Sequence, residues 1–227
     1  MKKMPPASQA NAAALQIARK RTCTRPTSPP SADSPLSMLR SLTVDYDYFE
    51  RRALRAVCIQ KTPMDDFHPQ ASEIIPDLFV CDIYTATSTA VVRGLGITHI
   101  ASVLKHDCPC FPVEMRHIHI PVDDSRNAEL LGHLDFTADW ITHALEHKGR
   151  VMVHCVWGMS RSASIAIAYL MVARHMSVDN ALKHVVSRRQ IVRPNSGFLR
   201  QLKLYERILK GREQRRTDTH ELLEDVP

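Results

Sequence analysis

The sequence of 227 residues is long enough for one ordinary domain with extensions. It has no apolar run approaching the roughly 18 residues that span a membrane, and its start, Met1-Lys2-Lys3-Met4-Pro5-Pro6, lacks the apolar core of a secretory signal. The net charge of +6 comes from residues 1–32, which have no acidic residue and contain Lys2, Lys3, Arg19, Lys20, Arg21 and Arg25. Because the remainder sums to about zero, we expect no nucleic-acid partner.

The N-terminal part of the chain predicts an extension and not a domain. Residues 1–42 are basic and rich in Pro and Ser, which is typical of disorder. Three interpretations fit this segment: a solvated tail, an arm that attracts a partner or a membrane, or a mitochondrial targeting segment. Residues 43–71 mix charged and apolar side chains and predict a partly helical lead-in, with no room for a second folded domain before it.

From residue 72 onwards the pattern alternates between short strands and helices. The sequence predicts strands at 78–81, 99–104, 115–120 and 151–153, and helices at 85–95, 129–147, 162–173, 177–189 and 196–210. The helix at 162–173 is apolar nearly all round, which indicates a central, buried position. This alternation predicts a single α/β domain in which helices flank a central, mostly parallel or mixed sheet.

The most informative stretch joins the strand at 151–153 to the helix at 162–173. Cys155 and Arg161 bracket five residues in a loop that opens onto a helix N-terminus, where backbone N–H groups favour an anion. The helix dipole would favour a thiolate at Cys155, and the planar fork of Arg161 matches two phosphate oxygens. The pattern predicts phosphoryl transfer through a cysteinyl-phosphate. The alternative is a buried structural cysteine before an ordinary helix.

Such a reaction needs an acid that protonates the leaving oxygen, and a loop aspartate suits this task. Asp123 and Asp124 lie between the strand at 115–120 and the helix at 129–147. The residues alone leave the choice between the two open, and either could instead be a capping or solvated carboxylate.

Two further groups of residues could bind a metal or take part in redox chemistry. Cys108-Pro109-Cys110 has no second ligand pair in the sequence, and His143 and His147 share a helix face without a third ligand. We therefore expect no metal and no cofactor. Six scattered cysteines do not suggest a disulfide framework, and we expect an intracellular chain, cytoplasmic and/or nuclear.

Three stretches of the chain carry a family resemblance: residues 154–162 (His-Cys-Val-Trp-Gly-Met-Ser-Arg-Ser), residues 168–171 and residues 193–199 (Arg-Pro-Asn-Ser-Gly-Phe-Leu). With them the sequence resembles the dual-specificity branch of the cysteine-dependent protein tyrosine phosphatases. Weaker similarities are at 74–76, 96–100 and 120–124. The resemblance covers about residues 72–212, which implies a catalytic domain there and a flexible tail at 213–227.

The resemblance implies a role for each site residue. Cys155 would be the nucleophile, and Val156, Trp157, Gly158, Met159, Ser160 and Arg161 would form the phosphate-binding loop. The family pattern Ile-Pro-x-x-Asp selects Asp124 as the general acid and base, and Ser162 would hydrogen-bond the leaving thiolate. His154 would order the loop without acting as a base, and Asn195 would brace the loop from behind while capping the last helix.

The resemblance also indicates a substrate class. The loop lacks the lysines of phosphoinositide phosphatases and the Asn-Arg-Thr of RNA triphosphatases, which favours phosphoproteins carrying phospho-Tyr and phospho-Ser/Thr. Trp157 and Cys81 depart from the family pattern, and we expect the Trp157 ring to pack against a neighbouring loop. The alternative function is a phosphate-binding scaffold with little turnover, and oxidation of Cys155 would be a mode of regulation. The sequence specifies neither an oligomeric state nor a physiological substrate.

Overall fold

Five strands form the central sheet of the computed structural model, which describes residues 70–106 and 108–224, and side chains as far as residue 215. The strands are β1 (Ser72–Ile75), β2 (Leu78–Asp82), β3 (His99–Val103), β4 (Arg116–Ile120) and β5 (Val151–Cys155). Their order is β1-β2-β5-β3-β4, with β1 antiparallel to β2 and the other pairs parallel. The predicted α/β domain with a mostly parallel sheet is confirmed. The predicted disordered extension, and the lead-in up to residue 69, lie outside the described residues.

Six helices accompany the sheet in the described part of the chain. They are α1 (Ile83–Ala86), α2 (Thr89–Gly94), α3 (Leu131–Glu146), α4 (Arg161–Ala173), α5 (Val178–Arg188) and α6 (Ser196–Glu224). None of them is both long and apolar enough to cross a bilayer.

Alternate residues of the strands face two separate cores, as the period of two in a strand requires. Val151, Val153 and Cys155 of β5 face the larger core, which α3 to α6 cover. Met152 faces a smaller core that includes Ala86 of α1 and Val92 of α2. Helix α4 lies in the middle of the larger core, with each residue from Arg161 to Met171 buried, so the predicted central position of this helix is confirmed. Because β5 is flanked by β2 and β3, the loop after Cys155 opens at the centre of the sheet.

The strand β1 is missing from the sequence prediction, which took Ile74-Ile75-Pro76 as a lead-in to the first strand. Only Ile74 is fully buried in this edge strand, and its register with β2 is irregular between Glu73 and Ile75. A short edge strand with one buried side chain has little of the alternation that predicts a strand.

The prediction of one helix at 85–95 is wrong, since this segment forms α1 and α2. Asp82 caps α1 by accepting a hydrogen bond from the Thr85 N–H at 2.7 Å. The Thr87 hydroxyl then donates to the Ile83 carbonyl at 2.9 Å, and α2 begins after Ser88. Side-chain hydroxyl groups that bond the local backbone in this way compete with continuous helix.

The last helix is longer than the sequence predicts. It was expected to end at Lys210, but α6 continues to Glu224. The flexible tail expected from residue 213 stays a prediction. Arg212 donates from Nη1 and Nη2 to the two carboxylate oxygens of Asp135 in α3, each at 2.8 Å. The same carboxylate accepts from the Tyr205 hydroxyl at 2.7 Å. These side-chain contacts on the folded domain support the helix beyond Lys210.

Candidate active site

The loop between β5 and α4 is fully packed inside the protein. Every residue from Cys155 to Ser162 is buried, with Cys155 ending β5 and Arg161 beginning α4. Gly158 has φ of +65°, and a Cβ at this position would lie 2.5 Å from the Cys81 carbonyl oxygen. The loop shape therefore requires glycine at position 158.

The Cys155 sulfur sits among hydrogen-bond donors. It accepts from the Gly158 N–H at 3.2 Å and from the Ser162 hydroxyl at 3.3 Å. Burial raises the pKa of Cys155, and nearby Asp124 adds to this effect, but Arg161 and the Ser162 hydroxyl and N–H outweigh both. The net result is a pKa below that of an ordinary thiol, which makes the thiolate accessible as a nucleophile.

Arg161 lies beside this thiol with part of its donor capacity unused. Its Nη1 donates to the Val122 carbonyl at 3.4 Å, and its Nε lies 3.9 Å from Asp124 Oδ2. The buried Nε has no hydrogen-bond partner. A buried guanidinium with an unsatisfied donor is suited to bind an oxyanion.

The two adjacent aspartates have different environments. Asp124 is buried and takes hydrogen bonds from the Ser160 hydroxyl at 2.6 Å and from Asn195 Nδ2 at 2.9 Å. The Asp123 side chain is 38% exposed and pairs with Lys105 at 3.4 Å. Only Asp124 contacts the loop and lies next to Arg161, which favours it over Asp123 as the acid.

Asn195 combines the two functions that were expected of it. Its Oδ1 accepts from the Phe198 N–H at 2.9 Å, which caps α6. Its backbone N–H donates to Ser160 Oγ at 3.1 Å, so the start of α6 is joined to the loop between β5 and α4.

His154 points away from Cys155 and belongs to a polar chain that sequence reasoning missed. Its Nε2 lies 2.6 Å from Ser102 Oγ, and Ser102 Oγ also lies 2.9 Å from His117 Nε2. Burial lowers the pKa of His154 to about 3 and that of His117 to about 4, so both rings are neutral at pH 7. A neutral, buried ring fits a structural role and not that of a base, as was expected for His154.

Arg189, at the end of α5, is a second residue that the sequence did not single out. Its Nε donates to the Gly158 carbonyl at 2.8 Å and its Nη2 approaches the Trp157 carbonyl at 3.5 Å. Arg189 therefore holds two carbonyl oxygens of the loop, while the Gly158 N–H donates to the Cys155 sulfur. No local pattern signals this role, because the contact spans 31 residues.

The remaining side chains of the loop are packed in the protein interior. Val156, Trp157 and Met159 form one small apolar cluster with Ile83, Leu104 and Ile191. The Trp157 ring is 7% exposed, so the expectation that it packs against neighbouring elements is confirmed.

The candidate metal ligands remain apart. Cys108 has a free thiol, Cys110 is disulfide-bonded, and the exposed rings of His143 and His147 stack 4.2 Å apart. Within residues 70–106 and 108–224 no group of three or more potential ligands is positioned to hold a metal ion.

Comparison with protein families identifies one matching family. The family model described as "Dual specificity phosphatase, catalytic domain" matches residues 78–208, which is more than half of the chain. A Slingshot homolog protein phosphatase from Xenopus laevis is 38% identical over 144 residues, covering 63% of this chain but 21% of the relative. Dual specificity protein phosphatase 1 from Arabidopsis thaliana is 32% identical over 161 residues, covering 71% of this chain and 80% of the relative.

Solved structures agree with this match. A mouse putative dual specificity phosphatase, complexed with zinc tungstate, has a TM-score of 0.61 at 32% identity and covers 64% of this chain and 91% of that one. The human tyrosine phosphatase-like serine/threonine/tyrosine-interacting protein has a TM-score of 0.59 at 31% identity, with coverage of 63% and 99%.

Proposed function

The chain belongs to the dual specificity phosphatase family, and from this membership we propose that it hydrolyses phosphate monoesters on phosphoproteins, at phosphotyrosine and at phosphoserine or phosphothreonine. The observation that supports the proposal best is the arrangement around Cys155: its sulfur accepts two hydrogen bonds, with Arg161 and Asp124 beside it. A nucleophile, an oxyanion-binding cation and a carboxyl group are the three parts that this reaction needs.

In the first step the Cys155 thiolate attacks phosphorus, forming an S–P bond as the P–O bond to the substrate breaks. Arg161 and the loop N–H groups hold the oxygens of the transferring phosphoryl group. Asp124 gives its proton to the departing oxygen, so the products are a neutral alcohol or phenol, a cysteinyl-phosphate and an Asp124 carboxylate.

In the second step water attacks the phosphorus of the cysteinyl-phosphate. Asp124 takes a proton from this water, and the S–P bond breaks to release inorganic phosphate. The Ser162 hydroxyl, 3.3 Å from the sulfur, stabilises the departing thiolate. No step of this cycle uses a metal ion, and the enzyme returns to its starting protonation state.

The proposed substrate class rests on the loop composition. Positions 156, 157, 159 and 160 carry Val, Trp, Met and Ser, so the loop offers no extra cation for the additional phosphates of a phosphoinositide. Phosphoproteins, recognised through a single phosphate, are therefore the proposed substrates.

The proposal is tested by hydrolysis of phenyl phosphate in the presence of a metal chelator. The wild type should turn over, Cys155→Ser should be inactive, and Asp124→Asn should lose about a hundredfold to a thousandfold in kcat. Asp123→Asn is the matched control and should retain activity.

The alternative, a phosphate-binding scaffold, predicts a different outcome. Orthovanadate would bind the wild type, yet no phosphate ester would be hydrolysed. Loss of activity in Asp123→Asn but not in Asp124→Asn would support the proposed phosphatase activity and assign the general acid to Asp123 instead.

A further inference from the structure

An open groove lies at the point where the described part of the chain begins. It has a volume of about 550 Å³ and is formed by residues at the start of β1 and in or next to α2. Volumes of roughly 300–1,000 Å³ are typical of pockets that bury a small ligand. We call it the entry groove, and its lining residues are Gln70, Ala71, Ser72, Val91, Gly94 and Leu95.

The entry groove has an apolar wall. Ala71, Val91 and Leu95 are half-buried and pack on the smaller core that Met152 faces. Each of them keeps part of its apolar surface outside that core, and a further apolar group would remove this surface from water. The groove therefore suits an apolar side chain better than a charged one.

The chain reaches the groove through Gln70, whose backbone is held on both sides. Its N–H donates to Thr85 Oγ1 at 2.8 Å, and its carbonyl accepts from Arg189 Nη1 at 3.2 Å. The residues just before Gln70 therefore start from a defined point at the rim of the groove. Because an extended residue spans at most about 3.6 Å, the three residues back to Phe67 span at most about 11 Å.

Residues 64–69, which precede the described range, have a composition that suits this groove. They read Met-Asp-Asp-Phe-His-Pro, so a large aromatic side chain stands three positions before Gln70. Pro69 disfavours helical backbone at His68, which favours an extended approach to Gln70. An aromatic side chain is also the type that gains most from burial against apolar neighbours.

Charge and size narrow the choice of occupant further. Arg93 is exposed on α2 beside Gly94 of the groove, while Asp65 and Asp66 directly precede Phe67. Opposite charges on the segment and on the rim would favour one orientation of docking. A second copy of the chain fits less well, because six lining residues are far fewer than the roughly 20–30 on each side of a standard interface.

We propose that residues 64–69 dock in the entry groove of the same molecule, with Phe67 packed against Val91 and Leu95. This inference goes beyond the proposed function and does not depend on it. The groove is then an internal docking site for the lead-in of the chain, and residues before the catalytic domain add to the stability of that domain.

A double-mutant cycle on the full-length chain tests the contact, with urea unfolding as the measurement. Phe67→Ala should raise the equilibrium constant for unfolding by about tenfold, because the apolar contact with the groove is lost. Val91→Ala removes most of the side chain that Phe67 would touch. In the Val91→Ala background, Phe67→Ala should therefore raise the constant by only about threefold or less.

Phe49→Ala is the matched control, since Phe49 is a phenylalanine of the same lead-in that lies outside residues 64–69. Its effect should be the same with and without Val91→Ala. The cycle is repeated at two widely different protein concentrations, and the coupling between Phe67 and Val91 should be equal at both.

Three results would overturn the proposal. Phe67→Ala without any effect on unfolding would show that this side chain is not docked, and equal effects in the two backgrounds would show that it docks elsewhere. A coupling that appears only at the higher concentration would assign the groove to a second copy of the chain. Loss or absence of phosphatase activity bears on the proposed function alone, because the unfolding measurement involves no substrate.

Discussion

Two buried polar clusters hold the loop of Cys155, and they differ in charge. The acid cluster, formed by Ser160, Asp124 and Asn195, contains a carboxylate next to Arg161. The histidine cluster, formed by Ser102, His117 and His154, is neutral at pH 7. Ser102 joins its two rings, and His117 Nε2 also lies 3.2 Å from Cys108 Sγ. The comparison teaches that one loop can have two kinds of polar support, since the first cluster contains the proposed general acid and the second contains only neutral groups.

The largest effect on stability and on anion binding is expected from a change in the loop that both clusters hold. In Gly158→Ala the new Cβ would lie 2.5 Å from the Cys81 carbonyl oxygen at a φ of +65°. We expect the free energy of unfolding to fall by about 2–5 kcal/mol and orthovanadate binding to be lost, because backbone strain and overpacking act together.

Denaturant unfolding and inhibition by orthovanadate measure these two effects. Gly94→Ala is the control, since nothing lies within 4 Å of its added Cβ in helix α2. Normal stability and orthovanadate binding in Gly158→Ala would show that the loop tolerates another shape.

A substitution with a smaller expected effect tests the histidine cluster by itself. Ser102→Ala removes the hydroxyl that contacts both His117 and His154, leaving buried ring nitrogens without that partner. We expect a loss of about 1–3 kcal/mol in stability and an equal fall in kcat/KM on phenyl and p-nitrophenyl phosphate.

A uniform loss is expected because none of the three members of the histidine cluster is assigned a part in the proposed reaction. Ser187→Ala, at an exposed hydroxyl, is the control for stability. A leaving-group preference in Ser102→Ala would mean that the histidine cluster also affects the acid.

The smallest expected effect is on pH dependence. Burial lowers the pKa of His117 to about 4 from an ordinary value of 6.5, so below pH 6.5 the unfolded chain binds a proton that the folded protein does not. The resulting stability is complete above pH 6.5 and decreases as the pH falls towards 4. At pH 6 we expect His117→Gln to retain about 1 kcal/mol more of its neutral-pH stability than wild type does of its own.

Urea unfolding at pH 7.5, 6 and 5 gives the free energy of unfolding as a function of pH. This free energy should decrease less steeply with falling pH in His117→Gln than in wild type. Parallel slopes for the two proteins would indicate that His117 is protonated in the folded state as well.

Local and distant interactions explain which features the sequence could predict. Cys155, Gly158 and Arg161 lie within seven consecutive residues, so strand, loop and helix patterns sufficed to place the anion site. The choice between Asp123 and Asp124 required the family pattern, because their different environments come from Lys105 and from Ser160 and Asn195 elsewhere in the chain.

The features that were missed depend on contacts far apart in sequence. Ser102 meets His154 across 52 residues, and a lone serine in a buried strand predicts no partner. The extent of α6 was missed because its later residues are mostly charged, and their contact with Asp135 joins residues 77 positions apart. The break between α1 and α2 came from hydroxyl bonds of Thr87 that residue-type periodicity does not register.

Arg189 hydrogen-bonds both the residues at the start of β1 and the loop that follows Cys155. Besides the Gly158 carbonyl, its guanidinium donates from Nη1 to the Gln70 carbonyl and to Ser72 Oγ, both at 3.2 Å. If β1 were to peel off the sheet, a buried cation would be left short of acceptors directly against the loop. Arg189 therefore couples local unfolding of the edge strand to the loop of Cys155.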